Sequence, residues 1–175
     1  MKVSPTRSVG SITLAGIFGA LTLALLFVAS LLPTLKITLY VICSFFPAVL
    51  TAQRRFFAAG LLFAGVLGLG FLLLPNKTAM VPFAALFGWY PIAKYFLETL
   101  PKIWSYVAKL AAFNAGLYVL WLIMFWFLPS LAHLPVWLLV GLAQIAFLLY
   151  DWILSQGVFY YGEHIHRHIA KFLRG

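Results

Sequence analysis

The chain alternates long apolar runs with brief polar breaks, and the breaks fall at Pro, Asn and clusters of charge. Cutting there leaves apolar stretches near 10–32, 37–52, 56–74, 78–97, 106–128 and 135–158. A helix crossing about 30 Å of hydrocarbon needs roughly 20 residues, within a range of about 17–25. The second stretch is short and holds Pro47, so a kinked or incompletely spanning helix is expected there. The connections are brief: "PTLK", "QRR", "PNK", a longer "ETLPKIWSYVAK", and "PSLAHLP". The pattern predicts an all-α, polytopic integral membrane protein. It would form one compact bundle of six transmembrane helices over residues 1–175, with 159–175 as a basic cytoplasmic tail.

Composition agrees with the pattern. Of 175 residues, 65% are hydrophobic and 9% charged, with a mean hydropathy of +1.06. Soluble domains are about 45–50% apolar and about 25% charged, so this chain has too little polar surface to cover a water-exposed globule. The length suits a single bundle. Cys43 stands alone and makes no internal disulfide. The start, "MKVSPTRSVGSITLAGIFGAL", superficially suggests a signal peptide. Its apolar run continues past Leu32 without a small-residue cleavage pattern, which predicts an uncleaved first span.

Charge gives orientation. The net charge of +9 is not gathered on a soluble module, so it predicts contact with the lipid bilayer and no nucleic acid partner. Assigning bases to alternate sides places Lys2, Arg7, Arg54, Arg55, Lys94, Lys102, Lys109, Arg167, Lys171 and Arg174 on one face of the membrane. Lys36 and Lys77 fall on the other. This asymmetry predicts a multi-pass protein of the cell (inner, cytoplasmic) membrane with both termini in the cytoplasm.

Depth then follows from a rise of roughly 1.5 Å per residue. Lys94 and Asp151 each lie sixteen residues beyond the outer end of a span, about 24 Å in and near the cytoplasmic boundary. Asn114 lies early in a span that starts inside. Lys94 and Glu98, four apart, share a helix face. An inner polar cluster of Lys94, Glu98, Asn114 and Asp151 is expected, because a carboxylate within "LLYDWILSQGVF" is costly unless paired. Alternatively, Lys94 snorkels to lipid phosphate while Glu98 is solvated.

Small residues recur at spacing four in the first stretch, as Gly16, Ala20 and Ala24 and as Ala15 and Gly19. Gly60, Ala64 and Gly68 repeat this in the third. Such faces let helix backbones approach closely, either within the bundle or against a separate membrane subunit. Most of the Trp and Tyr near helix ends mark interfacial belts, while Trp126, Trp137 and Tyr40 are candidates to line a pocket. In "YYGEHIHRHIAKFLRG", His164 and His168 are four apart, but Glu163 precedes both rather than standing between them, and Arg167 opposes a cation. No metal or cofactor is expected, and the tail reads as amphipathic and headgroup-binding. No G-x-S-x-G, Walker-type loop, zinc cluster or GxGxxG occurs, which disfavours an enzyme.

Six short spans, a small-residue first helix with "AGIFGALTLA" after a brief basic N-terminus, and a basic C-terminus resemble the substrate-binding S components of energy-coupling factor transporters. The resemblance covers nearly the whole chain as architecture. It implies a small-molecule, vitamin-like nutrient bound from outside, a membrane coupling subunit and two ATPases as partners, and docking through Ala15, Gly16, Gly19, Ala20 and Ala24. It also implies an outer pocket near Lys36, Tyr40, Asn76, Lys77, Trp126, His133, Trp137 and Gln144, where two lysines favour an anionic substrate. The alternatives are a non-transporting membrane scaffold, as among rod-shape proteins, and a small intramembrane lipid-handling protein that uses the inner cluster.

Overall fold

The computed structural model describes residues 5–127 and 136–162, and every element among them is helical. The chain divides into two compact bodies, 1–129 and 130–175. The first begins with α1 (Pro5–Leu31), a single 3-10 turn at Pro33–Leu35, α2 (Lys36–Ala52) and α3 (Phe56–Leu73). An interrupted stretch follows, comprising a 3-10 turn at Lys77–Ala79, one α-turn, α4 (Met80–Pro82), a π-helical segment at Phe83–Phe87, and α5 (Tyr90–Leu97). The long α6 (Lys102–Phe127) completes this body, and the described part of the second is built on α7 (Val136–Tyr160).

Four helical segments are long and apolar enough to cross a membrane: Val9–Leu31, Phe56–Leu73, Lys102–Leu122 and Val140–Tyr160. The shorter apolar α2 has Pro47 within it, as its sequence led one to expect. Their outward surfaces are greasy. Phe57 is 77% exposed, Leu72 77%, Ile103 79% and Trp104 66%, a density of bare apolar side chains that suits hydrocarbon better than water.

The fourth apolar stretch departs from expectation, because 78–97 is not one continuous helix. Pro82 and Pro91 have no N–H to donate, and Pro91 instead opens α5, where the missing donor costs little. Between them the backbone widens: Gly88 N–H donates to the Phe83 carbonyl at 2.8 Å, five residues back. The Trp89 indole N–H donates to the Ala85 carbonyl at 2.7 Å, a side chain supplying a donor to interrupted backbone. The break is wrapped in protein, with Met80, Phe83, Leu86 and Tyr90 buried. The dihedrals at Pro82, Phe83, Gly88 and Trp89 stay right-handed helical, so the stretch is a π-type widening of a helix rather than an unwinding.

Packing around the break depends on close approach. A Cβ on Gly116 of α6 would fall 2.9 Å from the Ala85 carbonyl oxygen, so only glycine lets α6 lie against the π-helical backbone. From the other side, Tyr40 of α2 stacks on Phe87 with centroids 5.5 Å apart. Its hydroxyl donates to the Ala79 carbonyl at 2.9 Å. Elsewhere the core is a seam between α1 and α3, where Ala15, Leu26 and Ala29 pack among Ala58, Ala59, Leu62 and Val66.

Candidate functional site

Among the described residues, the most concentrated polar chemistry lies where α5 ends. Glu98 caps that helix, its N–H donating to the Lys94 carbonyl at 2.9 Å. Lys94 Nζ stands 3.0 Å from Glu98 Oε1, the pair that a spacing of four places on one face. After Pro101 the chain turns into α6, which brings Lys109 back over the same carboxylate, its Nζ 2.7 Å from Oε1. Two ammoniums therefore meet one oxygen. Both lysine side chains are more than nine-tenths buried, while the Glu98 side chain is 46% exposed, so the site opens at the carboxylate. Lys109 also stands 5.9 Å from the centre of the Tyr106 ring, within the range of a cation–π contact.

The turn between α2 and α3 is joined to α5 by ring contacts. Phe56, the first residue of α3, packs on Tyr95 and Phe96 of the α5 segment, with ring centroids 5.1 and 5.2 Å away. Just before it, Arg54 N–H donates to the Thr51 carbonyl and Arg55 N–H to the Leu50 carbonyl, a paired closure of the end of α2. The closure requires a left-handed residue. Arg54 takes that conformation, with φ of 58°, where glycine is the usual choice.

Of the other inner residues named from sequence, Asn114 is exposed on α6 and its side-chain amide donates to the Leu110 carbonyl at 2.8 Å. Asp151 belongs to the second body, half-buried on α7, and its carbonyl accepts from the Ser155 hydroxyl at 2.8 Å. From sequence, Lys109 and Arg54 counted only toward the basic face, and the interruption was not expected. Lys109 carried a signal in being a lysine seven residues into an apolar helix, but its meeting with Glu98 depends on the angle of the turn between them.

The residues assigned to an outer pocket have local partners. Tyr40 is committed to Ala79. Asn76 Oδ1 accepts from the Thr78 N–H and hydroxyl and so caps the turn before α4. Lys77 Nζ donates to the Phe71 and Leu72 carbonyls, closing the end of α3. Lys36 begins α2 and is half-buried, and on α7 Trp137 is exposed while Gln144 is half-buried. The side chain of Trp126, along with His133 and the tail bearing Glu163, His164, Arg167 and His168, lies outside the described residues.

The small-residue faces diverge. Ala15 is buried, and a Cβ on Gly19 would meet Val66 of α3 at 3.8 Å, so this row packs inside the bundle. Gly16, Ala20 and Ala24 form a neighbouring stripe of α1 that is exposed, and Gly60, Ala64 and Gly68 of α3 are exposed as well. Among the described residues, no group of three or more His, Cys, Asp or Glu could hold a metal ion. Comparison with family models, curated proteins and solved structures returns no match.

Proposed function

We propose that the chain is a substrate-binding subunit of a small-nutrient uptake transporter in the cytoplasmic membrane, with six passes and both termini in the cytoplasm. The observation that carries this reading is the pairing of two irregular apolar segments. The short, proline-bearing α2 lies against the interrupted stretch 77–97, joined by the Tyr40–Phe87 stack and the Tyr40–Ala79 hydrogen bond. Short and broken hydrophobic segments are where transporters place substrate sites, since only there does backbone become available to a ligand inside the bilayer. A scaffold has no need to interrupt a spanning helix.

The exposed row Gly16, Ala20 and Ala24 supports a partner on α1, because small residues facing outward allow a second helix to approach closely. A membrane coupling subunit with attached ATPases fits that surface in this reading. The test is reconstitution with candidate coupling subunits in nanodiscs. A stable complex with wild type that is lost with Ala20→Leu, together with ATP-dependent uptake of a small solute, supports the proposal. Solute uptake without any partner would overturn it.

A further inference from the structure

Trp89 holds an acceptor that its own backbone would otherwise use. In an unbroken α-helix the Trp89 N–H donates to the Ala85 carbonyl and the Gly88 N–H to the Ala84 carbonyl. Here the Trp89 indole N–H takes the Ala85 carbonyl at 2.7 Å, and the Gly88 N–H reaches one residue further back, to the Phe83 carbonyl at 2.8 Å. The turn at Phe83–Phe87 thus carries one residue more than an α-turn, while the dihedrals that bound it stay right-handed helical. Exchanging the indole for the backbone N–H closes the turn with small dihedral changes. Pro91 opposes the exchange, because in a continuous helix its ring meets the Phe87 carbonyl four residues back.

One residue of register is a rotation of about 100° at 3.6 residues per turn. The leading end is held, since the Tyr40 hydroxyl of α2 donates to the Ala79 carbonyl and Asn76 caps the turn at Lys77–Ala79. The rotation therefore falls on α5. Lys94 and Glu98 ride on it together and keep their 3.0 Å pair, whereas the 2.7 Å pair of Glu98 with Lys109 crosses to α6 and is broken. We propose that the wide turn is a register switch, open at rest, that moves Glu98 on and off Lys109. Phe87, at the end of the turn, stacks on Tyr40, so a displacement of α2 reaches the switch directly. The switch does not depend on nutrient uptake.

Carbodiimide cross-linking of the full chain in nanodiscs reads the switch. The half-exposed Glu98 carboxylate is open to the reagent and joins as an amide to whichever lysine it touches. Peptide mapping by mass spectrometry counts the Glu98–Lys109 and Glu98–Lys94 products, and wild type should give both. Trp89→Phe frees the Ala85 carbonyl and Pro91→Ala removes the opposing ring. The double variant should lower the ratio of Lys109 to Lys94 product by about ten-fold, with the α5 amides still protected from hydrogen exchange. Deleting Ala84 from that variant takes out the extra residue, returns α5 to its resting register and should restore the ratio. A ratio unchanged in the double variant overturns the proposal. So does a fall accompanied by lost α5 protection, which marks loosening rather than rotation, or a folded deletion variant in which the ratio stays low. Absence of nutrient uptake in the same discs leaves these readouts unchanged.

Discussion

Lys109 Nζ lies nearer to Glu98 Oε1 than Lys94 Nζ does, 2.7 Å against 3.0 Å, although Lys94 is one turn away on the same segment and Lys109 is on the next helix. The tertiary pair thus joins α5 to α6. Breaking a buried pair costs roughly 3–5 kcal/mol and an exposed one contributes about 0–1; with Glu98 half-exposed, Lys109→Ala should cost about 1–3 kcal/mol. A double-mutant cycle with Glu98→Ala in nanodiscs measures the coupling, and strictly additive losses would show that the two do not interact.

Gly116→Ala should be among the most damaging small substitutions. Its added methyl meets the Ala85 carbonyl, which is backbone and cannot rotate away, so α6 must shift at a cost of about 1–3 kcal/mol. Gly16→Ala, with nothing within 4 Å, should instead be neutral or stabilise the isolated chain. Thermal denaturation of both variants makes the comparison, and equal stabilities would contradict the close approach.

Tyr40→Phe keeps the stack on Phe87 but leaves the Ala79 carbonyl without its donor in a buried place. A loss of about 1–3 kcal/mol is expected. Because Ala79 closes the turn into α4, hydrogen exchange should also speed up at Lys77–Met80, and unchanged exchange there would assign the tyrosine to packing alone.

Sidedness has its own measurement. Alkaline phosphatase fused after Lys77 or His133 should be active, and fused after Arg55, Lys102 or Gly175 inactive. Activity at Gly175 would overturn the proposed six-pass arrangement.

The apolar stretches were legible because their lengths and breaks are one-dimensional signals, and the Lys94–Glu98 pair because spacing four is a property of one helix. The interruption in 78–97 was not. Pro82, Gly88 and Pro91 are each tolerated in a membrane helix, and only their combination, with Trp89 turned back on Ala85, opens the backbone. Small-residue periodicity disclosed two faces on α1 without saying which one looks inward. That depends on Val66 of α3, a residue distant in sequence. Lys109 was hidden for a similar reason, since the turn through Pro101 decides what it faces.

The broken stretch 77–97 also bears on how the chain is assembled during synthesis. An uninterrupted helix can enter hydrocarbon alone because its backbone groups satisfy one another. A 3-10 turn, a single α-turn and a π-helical segment in sequence cannot do so equally well, and here Tyr40 and the Trp89 indole supply donors that helical geometry does not. The first of these comes from α2, made earlier, whereas the glycine surface that closes over Ala85 comes from α6, made later. The close approach at Ala85 therefore cannot form until α6 has been made, so the packing around the stretch is completed from both sides of it in the sequence.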